Sequence, residues 1–146
     1  MNADIVSRLR LLFAEQPLGV LSTHRGAPHA SLVAVAAADD LRRIFFATPR
    51  TTLKYANLKG DSTAALLVHD AGGRPDDLQR AVAVTAGGRV AEVDGAGAAA
   101  FDTVYLGRHP ALAPFVAAPT TARMALDVTE YRLVRHFQEV TVYRVT

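Results

Sequence analysis

Apolar residues recur at helical spacing at the start of this chain and then give way to alternation. Ile5, Leu9, Leu12 and Phe13 share one face of a helix over residues 4–15, with Arg8, Arg10 and Glu15 elsewhere on its surface. Asp4 is the expected cap, and Pro17-Leu18-Gly19 ends the helix. Short β segments follow at 19–24, 29–38 and 43–48. They are parted by the turn Arg25-Gly26-Ala27-Pro28 and by Asp39-Asp40, a β-meander with tight turns. A helix near residues 51–59 stops at Gly60-Asp61, a strand spans 64–69, and 70–78 reads as a surface loop with one helical turn at most. Residues 81–86 and 89–93 form a strand bent at Gly87-Gly88, where a bulge is expected.

A second substantial helix covers 96–107 and turns Phe101, Val104 and Tyr105 inward, and the three prolines of 110–119 predict a short irregular helix or loop. Alternation returns at Met124, Leu126 and Val128 and again over 131–145. The pattern predicts a mainly β domain of six or seven mostly antiparallel strands with peripheral helices. Such a sheet leaves its edges open unless it curls shut, so a small barrel is the expected architecture.

Composition narrows the function classes. At 146 residues the chain is read as one domain, and half of its residues are hydrophobic, enough for a true core. The absence of cysteine excludes disulfides, thiolate metal sites and a cysteine nucleophile, and it fits a reducing cytoplasm. A net charge of +2 with scattered basic residues gives no footprint for nucleic acid. Neither a leader peptide nor an apolar run near the ~18 residues of a membrane span is visible, and a cytoplasmic location is the expectation.

The stretch Phe45-Phe46-Ala47-Thr48-Pro49-Arg50-Thr51-Thr52-Leu53-Lys54-Tyr55-Ala56-Asn57-Leu58 carries the candidate chemistry. A strand runs through a proline to two hydroxyls, a lysine and a helix start, an order of parts able to hold a phosphate. A helix N-terminus offers free N–H groups and positive potential, Thr51 and Thr52 add hydroxyls, and Arg50 and Lys54 add charge. On these residues alone an ordinary threonine cap is the plainer reading. The five histidines, His24, His29, His69, His109 and His136, show no ligand-like spacing, and no metal site is expected. No Gly-x-Ser-x-Gly elbow occurs, and the two Gly-Gly-Arg turns lack the ending of a Walker loop.

Taken together, three segments resemble the pyridoxamine 5'-phosphate oxidase-like family of FMN-binding split barrels. Residues 19–33 are similar to its opening hairpin with a Gly-x-Pro turn, 45–58 to its strand, hydroxyl pair, lysine and helix, and 131–140 to its closing strands. The resemblance implies a split β-barrel in which Ser31, Leu32, Val33 and Ala34, continuing to Val35, lie along the flavin ring with backbone groups on its pyrimidine edge. Small residues at Ala30, Ala34 and Ala36 to Ala38 would let a flat ring approach, although they also suit a narrow barrel. Thr48 would meet the ribityl or phosphate end, Thr51, Thr52 and Lys54 the phosphate, with Arg50 in reach.

The resemblance also implies a homodimer with the flavin at the interface, to which Phe137 and Gln138 of the second chain contribute. Arg135, His136, Gln79 and Arg80 are further candidates there. Two departures stand out. Leu53 replaces an arginine found in many members, and Ala36 sits where true pyridoxamine 5'-phosphate oxidases carry a basic residue for the substrate phosphate. The implied activity is therefore flavin-dependent electron or hydride transfer to a small molecule, not vitamin B6 oxidation. The alternatives on the same barrel are a deazaflavin-dependent reductase, a haem-binding protein using His136 or His24, and a non-catalytic flavin carrier.

Overall fold

Residues 28–37 form the seam of the molecule. In the computed structural model, which describes residues 3–146, the strand expected over 29–38 divides at Val35 into β2 (Pro28–Ala34) and β3 (Ala36–Ala37). The other strands are β1 (Leu18–His24), β4 (Arg43–Pro49), β5 (Thr63–His69), β6 (Ala83–Val93), β7 (Thr121–Arg135) and β8 (Glu139–Arg144). The sheet runs β2-β1-β5-β6-β7-β4-β3, with β8 also on β7, and every pairing is antiparallel. The two ends of that path are consecutive pieces of chain. Because β2 pairs with β1 while β3 pairs with β4, the strand must change partner at Val35, and the sheet curls into a split barrel.

The helices are α1 (Ala3–Glu15), α2 (Leu53–Gly60), the single turn α3 (Asp77–Arg80), α4 (Ala98–Arg108) and α5 (Ala113–Ala117). Asp4 lies inside the first turn of α1 instead of preceding it. The apolar stripe of α1 packs onto the barrel core together with Leu21, Ile44, Phe46, Leu66, Leu126 and Tyr131. On the opposite face of β4, Phe45 and Ala47 pack with Phe101, Tyr105 and Val116 of α4 and α5. That two-faced burial explains the continuous apolar run Ile44-Phe45-Phe46-Ala47, which alternation alone does not account for.

The stretch 124–128 and the first part of the run 131–145 are one strand, and a turn at 136–138 divides that run into the end of β7 and β8. β7 continues for 15 residues, pairing β4 over its first half and β8 over its second. The expected bulge is present: the β6–β7 register shifts between Gly87 and Gly88, leaving Thr129 as the extra residue. In the turn before β4, Leu41 is buried at φ 61°, and the Tyr131 hydroxyl donates to its carbonyl at 2.6 Å. Among the described residues no helix is long and apolar enough to cross a membrane.

Candidate functional site

β4 delivers the chain to α2 through Pro49, and the first turn of α2 is built from the residues that the sequence singles out. Thr52 is the N-cap: its hydroxyl accepts from Tyr55 N–H at 3.3 Å and its carbonyl from Ala56 N–H at 3.2 Å. The capping hydroxyl also lies 2.8 Å from the wholly buried Thr48 hydroxyl. These two hydroxyls hold the turn together. Among the described residues the N–H groups of Leu53 and Lys54 have no acceptor at the positive end of the helix.

Lys54 is half-buried, and among the described residues no carboxylate pairs with it. Burial lowers its pKa from the ordinary lysine value. Thr51 beside it is exposed, with no side-chain bond within the described residues. The corner thus offers one ammonium, two amide N–H groups and one hydroxyl, a set suited to a phosphate.

Arg50 has other work. Its guanidinium donates to Glu92 of β6 at 2.6 Å and to the Pro119 carbonyl at 2.9 Å. The Tyr55 hydroxyl donates to the other Glu92 oxygen at 2.6 Å, so one carboxylate ties both sides of the corner to β6. Farther along α2, buried Asn57 donates to Thr23 at 3.1 Å and Arg25 to the Ala56 carbonyl at 3.3 Å, fixing the helix over β1. Glu92, Tyr55, Asn57 and Thr23 were not picked out from the sequence. Their partners lie 34 or more residues away, and no local pattern marks such pairs.

The Glu92 carboxyl sits below its ordinary 4.5, chiefly because the Tyr55 hydroxyl donates to it and then because of Arg50. A lowered folded-state pKa means that the stabilisation is present above the unfolded value and is lost as pH falls below 4.5 through the folded value. Glu92→Gln is expected to cost about 1–2 kcal/mol at pH 7, the charged hydrogen bond outweighing a solvent-screened ion pair. Thermal melts from pH 7 to pH 3 check this: the variant melts lower at pH 7 and shows a flatter acid limb. Equal melts and equal acid limbs would remove the brace from the account.

On β2, Val33 is buried in the barrel core and Leu32 is 65% exposed. Ser31 shares the Val33 side of the strand, and its hydroxyl is buried without a hydrogen-bond partner. Val35 N–H bonds Pro17 on the β1 side, whereas Tyr105 of α4 donates to the Ala34 carbonyl at 3.0 Å from the opposite side. Strand alternation then leaves Leu32 N–H and C=O directed off the open edge of β2. His109 holds the Val35 carbonyl at 2.8 Å, and burial pushes the Tyr105 pKa up to about 12, so its hydroxyl remains a donor. β2 touches β4, the strand that leads into the α2 corner.

Phe137 and Gln138 are elsewhere. They sit in the β7–β8 turn, whereas the corner adjoins the other end of β7, where Thr121 pairs with Pro49. The strand between is roughly 45 Å long at about 3.3 Å per residue, so one chain does not bring these residues to Lys54. His136 and Phe137 both have left-handed backbone, at φ 49° and 70°, and Phe137 is 51% exposed. For so bulky a residue this conformation is strained. His136 lines a recess of only about 180 Å³, below the roughly 300–1,000 Å³ of ordinary ligand sites, and His24 is exposed at the end of β1.

The fold is shared by solved structures of low sequence identity. A haem-binding protein from Mycobacterium smegmatis superposes with TM-score 0.86 at 19% identity over 99% of this chain, and the chain spans 59% of that relative's length. General Stress Protein 26 from Bacillus anthracis gives TM-score 0.73 at 16% identity, covering 97% of this chain and 98% of that one. A protein from Mesorhizobium loti described as FAD-binding gives 0.69 at 11% identity, covering 91% and 94%. At these identities the likeness is one of fold. No curated protein matches the chain. In sequence, residues 5–135 match the family model described as pyridoxamine 5'-phosphate oxidase, from α1 through β7, and the chain belongs to that family.

Proposed function

We propose that the protein is a homodimeric FMN-binding oxidoreductase that passes electrons or hydride to a small molecule. The observation that carries the reading is Lys54, a half-buried cation that among the described residues has no carboxylate partner and stands beside two N–H groups without acceptors at the start of α2. A buried cation without a counter-ion is unfavourable, and a phosphate there relieves the deficit. Lys54 Nζ, the N–H groups of Leu53 and Lys54 and the Thr51 hydroxyl would hold the phosphate. Thr48 and Thr52 keep the turn in shape and Arg50 anchors it through Glu92.

The free Leu32 backbone groups suit the polar edge of a flat ring, and the unpartnered Ser31 hydroxyl is a donor for a nearby acceptor. Bound FMN would supply the redox chemistry, and the chain's part is to bind and orient it. Exposed Leu32 and Leu53 (57%) on the two elements of the site favour cover by a second chain. The strained, exposed turn at Phe137 and Gln138 is the segment that a partner would bring to the ring. Ala36 offers no charge to a substrate phosphate, so the substrate is not a B6 vitamer.

The test is the visible spectrum of the protein as purified, followed by mass identification of the released chromophore and, for colourless protein, titration with FMN. A yellow protein releasing FMN, or tight FMN uptake, is the expected result. A released deazaflavin or a haem band would replace the cofactor while keeping the barrel. Failure to bind any of the three would reduce Thr52 and its corner to an ordinary helix cap.

A further inference from the structure

A concavity of the molecule lies away from the α2 corner. A groove of about 760 Å³ opens between the end of α1, β3 and the last turns of α4. Thr48, Thr51, Thr52 and Lys54 are absent from its lining, and the β3–β4 pairing puts it toward the opposite end of β4. Its size falls within the roughly 300–1,000 Å³ of small-molecule sites. Phe13, Leu41 and Val104 give it apolar walls.

Three ionisable groups line the groove: Arg10, Arg108 and Asp39. Arg10 donates to the backbone carbonyl of Asp39 at 3.0 Å, a contact that leaves its charge unneutralised. Arg108 forms no ion pair within the described residues, and its Nε is buried without any acceptor. Its place at the end of α4 suits the negative end of the helix dipole but does not satisfy that N–H. Gly107 adds a second observation. It stands within α4, where alanine would favour the helix, yet a Cβ there would meet nothing within 4 Å. The bare position borders open space beside Arg108.

We propose that this groove binds an amphipathic organic carboxylate, its apolar body against Phe13, Leu41 and Val104 and its carboxylate on Arg108, with Arg10 at the rim. One arginine in excess over Asp39 sets the sign of the ligand, and the planar guanidinium suits a carboxylate. Ala36, Ala37 and Ala38 complete the lining, so the groove adjoins the strand expected along the flavin ring, and competition by FMN is measured alongside ligand binding.

Isothermal titration with 2-naphthoate and its uncharged isostere 2-naphthamide tests the proposal, since the two share one apolar body. The naphthoate is expected to bind about tenfold tighter than the amide. Arg108→Met, which keeps the apolar stem, should remove that advantage and leave the amide unchanged. Gly107→Leu, placed in open space, should weaken both ligands while the circular dichroism stays that of the parent. Equal binding of the two ligands, an unaltered naphthoate affinity in Arg108→Met, or no binding of either at millimolar concentration overturns the site. Displacement of naphthoate by FMN also overturns it, because the groove would then belong to the flavin site.

Discussion

Lys54→Met is expected to lower FMN affinity by about ten- to a hundredfold while the melting temperature of the flavin-free protein stays level or rises. Hydrogen bonds to a charged group contribute about 1.5–3 kcal/mol, which converts to that range of dissociation constants. Methionine keeps the unbranched stem, so packing under the first turn of α2 is preserved and only the charge is removed. Stability moves the other way because the Lys54 pKa is lowered by burial with no compensating partner. In the flavin-free state the charged lysine opposes folding. The sign follows from linkage: with the folded value below the unfolded 10.5, the unfolded chain binds more protons between the two, and stability rises with pH through that window. Lys54→Met should lose this alkaline rise. Flavin fluorescence titration and melts from pH 7 to pH 10.5 check both halves, and an unchanged FMN affinity would remove Lys54 from the site.

Gly88→Ala is expected to destabilise the fold by about 3 kcal/mol or more, several times the effect of Gly87→Ala. A Cβ on Gly88 would clash with the Asp127 carbonyl oxygen and stand 2.9 Å from its carbon, so the neighbour that must move is the β7 backbone. A Cβ on Gly87 would meet nothing within 4 Å, which makes it the control. The two glycines flank the register shift, and only the second is where β6 and β7 approach each other closely. β6 also carries Glu92, so a displaced β6 should loosen the tie between β6 and the α2 corner. Thermal melts of the pair decide this: a drop on the order of 10 °C for Gly88→Ala is expected, against a few degrees at most for Gly87→Ala. Equal melts would mean that the bulge tolerates a side chain.

Much of this architecture is legible in local pattern. Ile5, Leu9, Leu12 and Phe13 announce α1, Gly87-Gly88 announces the bulge, and the proline and glycine turns separate the strands. The division of 28–37 was not legible, because Val35 is unremarkable by itself and the change of partner there is a property of closure. The continuity of β7 was hidden for a similar reason: its two halves serve different neighbours, β4 and β8, and their patterns look like separate strands. At the site, the Thr-Thr-Leu-Lys order marks the corner, yet hydroxyls and cations that look alike in sequence have different duties. Thr52 caps, Thr48 supports it from inside, and Arg50 is held by Glu92, whereas Lys54 has no carboxylate partner among the described residues. Those assignments depend on contacts 42 residues apart between Arg50 and Glu92, and on burial. Spacing along the chain carries neither.

The most direct test of the central claim is the affinity of the wild-type protein for FMN set against riboflavin, which lacks only the phosphate. The account predicts that FMN binds at least about tenfold tighter and that Lys54→Met removes the difference. Equal affinities for the two flavins, or a phosphate preference that survives Lys54→Met, would contradict it.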